Sequence, residues 1–82
     1  MELKRLQKLQ NEESRFYLMI GSKIRERREK LHVSRADFAY DFGVTVAAVS
    51  AYELGLTRIG IYRLVKMAEY LEIPLVQLLV AL

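Results

Sequence analysis

The sequence predicts an all-α domain of about five helices. Three observations carry this. Strand-like alternation is nearly absent, apolar residues recur at three- and four-residue steps, and glycine or capping residues punctuate the chain at short spacing. Eighty-two residues make one small domain. A core of that size is marginal, so pairing of two copies would add stability.

The first segment runs from about Glu2 to Leu31. Leu3, Leu6 and Leu9 share a face, and Phe16, Ile20 and Ile24 follow at four-residue steps. Two places carry break signals: Gly21-Ser22, with Ser22 as the cap of a new helix, and Asn11 to Ser14. Residues 1–19 are read as an N-terminal helical extension and 20–82 as the main domain. The leucines have two readings, a face packed on its own domain or a dimer-forming arm.

The second helix has a clear start. Ser34 stands at the N-cap with Asp37 three residues on, and Val33 and Phe38 occupy the staple positions around it. Phe38, Ala39 and Phe42 form the inner face, and Gly43 supplies the left-handed turn that ends the helix. Thr45 caps the third helix, which Val44 and Val49 can staple. Val49 and Tyr52 face inward, leaving Val46, Ala47, Ser50, Ala51 and Leu54 on the remaining surface. Two short helices joined by Gly43-Val44-Thr45 have helix-turn-helix spacing.

A fourth helix is expected over about Ile61 to Leu71, with Ile61, Leu64, Val65, Ala68 and Leu71 inward. A fifth starts near Pro74, a favoured first-turn residue. Only Gln77 is polar from Pro74 to Leu82. One small domain cannot cover every side of such a helix, so Val76, Val80 and Leu82 are expected at a dimer interface.

Composition excludes several classes. Hydrophobic residues are 52% of the chain, too many for a disordered tail. No apolar run reaches the roughly 20 residues of a membrane span, so no membrane partner is expected. The charged N-terminus lacks a signal-peptide pattern. Without cysteine there is no disulfide framework or thiolate metal site, and a cytoplasmic location is expected. His32 is the sole histidine, no acids cluster with it, and no glycine loop suits a phosphate. Neither catalysis nor a cofactor or metal is expected. His32 instead suits a helix C-terminus. The net charge of +3 fits a polyanion partner only weakly, because 10 acidic residues interleave with 13 basic ones.

The run IGSKIRERREKLHVSRADFAYDFGVTVAAVSAYELG, continuing through TRIGIYRLVKMAEYLEIPLVQLL, resembles the Cro/repressor-type (XRE) helix-turn-helix family. The features that carry it are Gly43, the cap at Thr45, Glu53, Gly55, the Ala68-x-x-Leu71 spacing and Leu78-Leu79. The resemblance implies a repressor-like five-helix domain binding double-stranded DNA as a homodimer on a palindromic operator, with a role in transcription regulation. It also implies a structural ion pair between Arg28 and Glu53, which a bidentate arginine fork could hold. Arg35, Thr45 and Arg58 match positions that touch phosphate, and Val46, Ala47, Ser50 and Ala51 match positions that read bases.

This chain departs from the family at those readers. Members usually carry polar residues there, whereas three of these four are apolar. Base edges are read chiefly by hydrogen bonds, each good bidentate pair giving ~1–3 kcal/mol of discrimination. Valine and alanine offer only contact with thymine methyl groups. Leu54 replaces a frequent asparagine, His32 a frequent glycine, and Ile59-Gly60 a frequent Pro-Ser, the isoleucine being shared with restriction–modification controller proteins. A second function therefore stands beside DNA binding. The scaffold could serve as a protein-interaction module through Val46, Ala47, Ala51 and Leu54. If DNA is the partner, Arg35, Arg58 and the basic residues Lys23, Arg25, Arg27 and Lys30 should flank the third helix.

Overall fold

The structure is a computed structural model that describes residues 2–80. Five helices follow one another: α1 (Glu2–Lys30), α2 (Arg35–Phe42), α3 (Val46–Glu53), α4 (Ile61–Tyr70) and α5 (Leu75–Leu79). No strand occurs among the described residues, so the all-α class predicted from spacing holds.

The first helix departs from expectation. It is a single helix of 29 residues, unbroken at Asn11–Ser14 and at Gly21-Ser22, so Ser22 caps nothing. It also runs through the boundary expected between residues 19 and 20. Gly21 is there for a different reason. A Cβ on it would lie 2.1 Å from the Tyr52 carbonyl oxygen and 2.7 Å from that of Glu53. Its bare backbone lets the C-terminal end of α3 rest directly on α1. The N-terminal leucines Leu3, Leu6 and Leu9 remain exposed and are not packed on the domain.

Four helices end in the same way. After each, a residue with positive φ turns the chain, and two backbone N–H groups return to open carbonyls of the last turn. His32 N–H reaches Glu29 O and Val33 N–H reaches Arg28 O; the same pair of bonds recurs at Gly43-Val44, Gly55-Leu56 and Glu72-Ile73. These are Schellman closures. Glycine fills the left-handed position twice (φ 65° and 69°), but His32 (φ 57°) and Glu72 (φ 59°) fill it in the other two. A side chain there costs about 1–2 kcal/mol, partly offset by the extra entropy that glycine loses on folding. We expect His32→Gly and Glu72→Gly each to stabilise the domain by about 0.5–1 kcal/mol. Urea melts with an unchanged m-value check this.

The core gathers Ile20 and Ile24 of α1, Phe38 of α2, Val49 of α3, Leu64 and Met67 of α4, and Leu71 and Leu78. Phe38 stacks on Phe42 at 4.8 Å, and Tyr70 meets both rings edge-on at 5.2 Å. The Tyr70 hydroxyl donates to Asp41 Oδ2 at 2.5 Å, which pushes its pKa up to about 12. In α4 the buried face is Leu64, Met67 and Ala68, closed by Leu71. Ile61, expected inward, is exposed, because Ile59 of the preceding loop turns in and fills that edge of the core. Pro74 is the N-cap of α5, one residue before its first turn.

Candidate nucleic-acid interface

Local chemistry builds the α2–α3 pair. The Ser34 hydroxyl accepts from Asp37 N–H at 3.0 Å, and Thr45 Oγ1 accepts from Ala48 N–H at 3.0 Å. Each cap satisfies an otherwise orphaned donor at a helix start. Between them Gly43 makes the turn that packs α3 across α2.

A buried charge cluster fixes α3 to α1. Arg28 Nε donates to Glu53 Oε2 at 2.6 Å and Nη2 to Glu53 Oε1 at 3.1 Å, while Nη1 donates to Val33 O at 2.7 Å. Both side chains are buried. The bond to Glu53 holds the Arg28 guanidinium above its ordinary pKa, against the opposing effect of burial. Arg35 joins from α2, its Nε donating to Glu53 Oε1 at 3.2 Å, with 41% of its side chain exposed. One carboxylate thus ties three helices together. A further tie, with no sequence signal, runs from Arg63 Nη1 to the Tyr52 hydroxyl at 2.6 Å.

The outer surface of α3 is open. Val46, Ala47 and Leu54 are exposed and Ser50 and Ala51 half-buried, while Val49, Tyr52 and Glu53 are buried. Thr45 is exposed at the start of the helix, its hydroxyl hydrogen still available. Arg58 lies in the loop after α3, largely exposed, and ion-pairs with Glu13 of α1. No local sequence pattern signals that partner. It follows from α1 continuing as a helix past the loop, where Gly55 approaches so closely that a Cβ would lie 2.5 Å from Leu18 Cα.

The basic residues of α1 do not all flank α3. Lys23 Nζ donates to Gln77 O at 2.9 Å, and Arg27 donates to Leu71 O at 2.7 Å and Glu72 O at 3.3 Å. With Lys30 they line a groove beside Ile73 and Gln77, on the α5 side. The open carbonyls at the end of α4 draw Arg27 there. Arg25 pairs with Glu29 at 2.7 Å. Val76 is exposed and Val80 half-buried on the α5 side, and Leu82 lies outside the described residues. Among the described residues no three histidine, cysteine or acidic side chains gather as a metal site, and no helix is long and apolar enough to cross a membrane.

The capped helix pair, its glycine turn and the Arg28–Glu53 anchor coincide with a family match, described as helix-turn-helix, over residues 24–78. The chain belongs to the Cro/repressor-type helix-turn-helix family. An uncharacterized HTH-type transcriptional regulator of Sinorhizobium medicae is 34% identical over 55 residues, covering 67% of this chain and 40% of that protein. A second of the same description, from Rhizobium meliloti, has the same identity and coverage. A third, from Sinorhizobium fredii, is 36% identical over 56 residues, covering 68% of this chain and 39% of its own. The helix-turn-helix chain thus spans about 40% of the length of these curated relatives. No solved structure matches it.

Proposed function

We propose that this helix-turn-helix domain is a sequence-specific DNA-binding transcriptional regulator that acts as a dimer, with α3 in the major groove. The observation that carries this is the asymmetry of α3. Its inner side is clamped by Val49, Tyr52 and the Arg28–Glu53 pair, while on its outer side Val46, Ala47 and Leu54 are exposed and Ser50 and Ala51 partly so. A helix held that firmly and left uncovered suits insertion into a groove. Relatives described as HTH-type transcriptional regulators support the same function.

In this proposal Arg35, Thr45 and Arg58 contact phosphates, and Val46, Ala47, Ser50 and Ala51 face base edges. Readout is then modest in hydrogen bonds and leans on thymine methyl contacts and DNA shape. In a dimer through α5, Val76 and Val80 pack against a second copy, and the two α3 helices sit about 34 Å apart.

The test is binding to duplex DNA over a salt series. Each phosphate neutralised steepens the slope of log affinity against log salt by about 0.9. Arg58→Ala should make the slope shallower by about one and weaken binding on every sequence. Glu13→Gln, which frees Arg58, should tighten binding at low salt. Slopes identical in wild type and Arg58→Ala would remove Arg58 from the interface.

A second reading has its own support. Val46, Leu54 and Leu56 are exposed and apolar, and Lys23, Arg27 and Lys30 lie away from α3. An α3 face that docks a protein helix would explain both. Salt-insensitive binding, or none to any duplex, favours that alternative.

A further inference from the structure

The N-terminal arm of α1 carries an apolar stripe with nothing over it. Leu3, Leu6 and Leu9 are 80%, 57% and 60% exposed. Leu6 lies eleven residues before Tyr17 and eighteen before Ile24, close to whole numbers of 3.6-residue turns. The stripe therefore prolongs the side of α1 that is buried in the core further along. An arm of about ten residues is marginal as an isolated helix in water, so cover over this stripe would stabilise it.

The charges beside the stripe select the occupant. Arg5 and Glu12 are seven residues apart and so share one flank. Among the described residues, neither forms an ion pair within the chain. When two copies of a helix pair about a perpendicular two-fold axis, each flank meets its own copy, and residue i contacts j while j contacts i. Arg5 of each arm then meets Glu12 of the other, with the axis passing between residues 8 and 9. In the same register Leu9 of each arm lies nearly level with its mate, and Leu6 lies about 3 Å along the axis from Leu9 of the other arm, within reach of a side-chain contact. That register also brings Leu3 toward an open groove that Gln10, Ser14, Tyr17 and Leu56 help to line. Parallel arms would turn this flank toward Gln7 and Ser14, which offer no charge complement.

We infer that two copies of this chain pair their N-terminal arms antiparallel, with reciprocal Arg5–Glu12 ion pairs over a Leu6–Leu9 contact. This extends the dimer half of the proposed function, the arms adding a second contact to the one through α5 so that neither holds the dimer alone, and it is independent of the DNA half.

Sedimentation of the full chain over a concentration series tests it. Wild type should reach the mass of two chains, and the double variant Leu6→Glu/Leu9→Glu should stay at one. Because both leucines are exposed, helix content of the domain should be retained. Arg5→Glu alone should weaken pairing about tenfold, since attraction becomes repulsion at two symmetric contacts. Arg5→Glu/Glu12→Arg should restore it. The chain has no cysteine. A single Leu9→Cys, beside the axis, should therefore form a disulfide dimer on oxidation, whereas Leu3→Cys, roughly 16 Å from its mate, should not. Three results would overturn the inference: a monomer at every concentration, efficient Leu3→Cys crosslinking, or a dimer that survives Leu6→Glu/Leu9→Glu and is lost only on Val76→Glu. Duplex binding measured on the same proteins reports on DNA recognition separately, so either half can fail alone.

Discussion

Glu53→Ala is expected to cost the domain about 3–5 kcal/mol, because it strands the buried Arg28 guanidinium without its carboxylate. For a chain of this size that lowers Tm by roughly 12–40 °C, which calorimetry would register at once. The carboxylate also receives Arg35, so one substitution loosens α1, α2 and α3 together. Replacing both buried partners with apolar residues, as in Arg28→Met/Glu53→Leu, should return most of the lost stability, since neither charge is then left alone. Glu53→Ala with full thermal stability would show that the pair is not the anchor of α3.

Gly21→Ala should also destabilise the domain, for a steric reason. The new Cβ would have to occupy space 2.1 Å from the Tyr52 carbonyl oxygen, and backbone cannot swing aside as a long side chain can. Overpacking of this kind costs about 1–3 kcal/mol, against a gain of about 1 kcal/mol from exchanging glycine for alanine within a helix. A net loss is expected, and Gly21→Val should be worse. Because the collision pushes the end of α3 off α1, the variant should also bind duplex DNA more weakly at a temperature where it is still folded. Gly21→Ala as stable as wild type would contradict the close helix contact.

The parts of the fold that were legible in the sequence are those set by neighbours in the chain. Ser34, Gly43 and Thr45 each act within a few residues of themselves, so their roles could be read from spacing alone. The same holds for the inward pair Val49 and Tyr52. The sequence marks Gly21 as a break, because a glycine that breaks a helix and one that admits another backbone are the same letter, and only tertiary contact separates them. The apolar stripe of α4 points to Ile61 as inward, but a helical stripe says which residues share a side, not how far the core extends along it. Ile59, two residues earlier and outside any helix, takes that place.

The candidate interface was legible to a similar degree. The outward positions of α3 follow from its two inward residues and its cap. Where arginines send their guanidinium groups is set by partners distant in sequence, which no local pattern encodes. Arg35 reaches Glu53, Arg58 reaches Glu13, and Arg27 closes the end of α4. These ties give the proposed phosphate contacts a competing intramolecular partner at both Arg35 and Arg58. In the proposed interface Glu13, which lies outside the family match at residues 24–78, competes with phosphate for Arg58.

The central claim is that the bare side of α3 reads DNA despite being poor in hydrogen-bonding groups. Selection of bound duplexes from a random pool, at two salt concentrations, tests it most directly. The expected result is a two-fold symmetric motif with half-sites about one helical turn apart, enriched in thymine where Val46, Ala47 and Ala51 would lie, and weaker binding overall at the higher salt. Absence of any enriched motif, together with no salt-sensitive binding to duplex DNA, would contradict it.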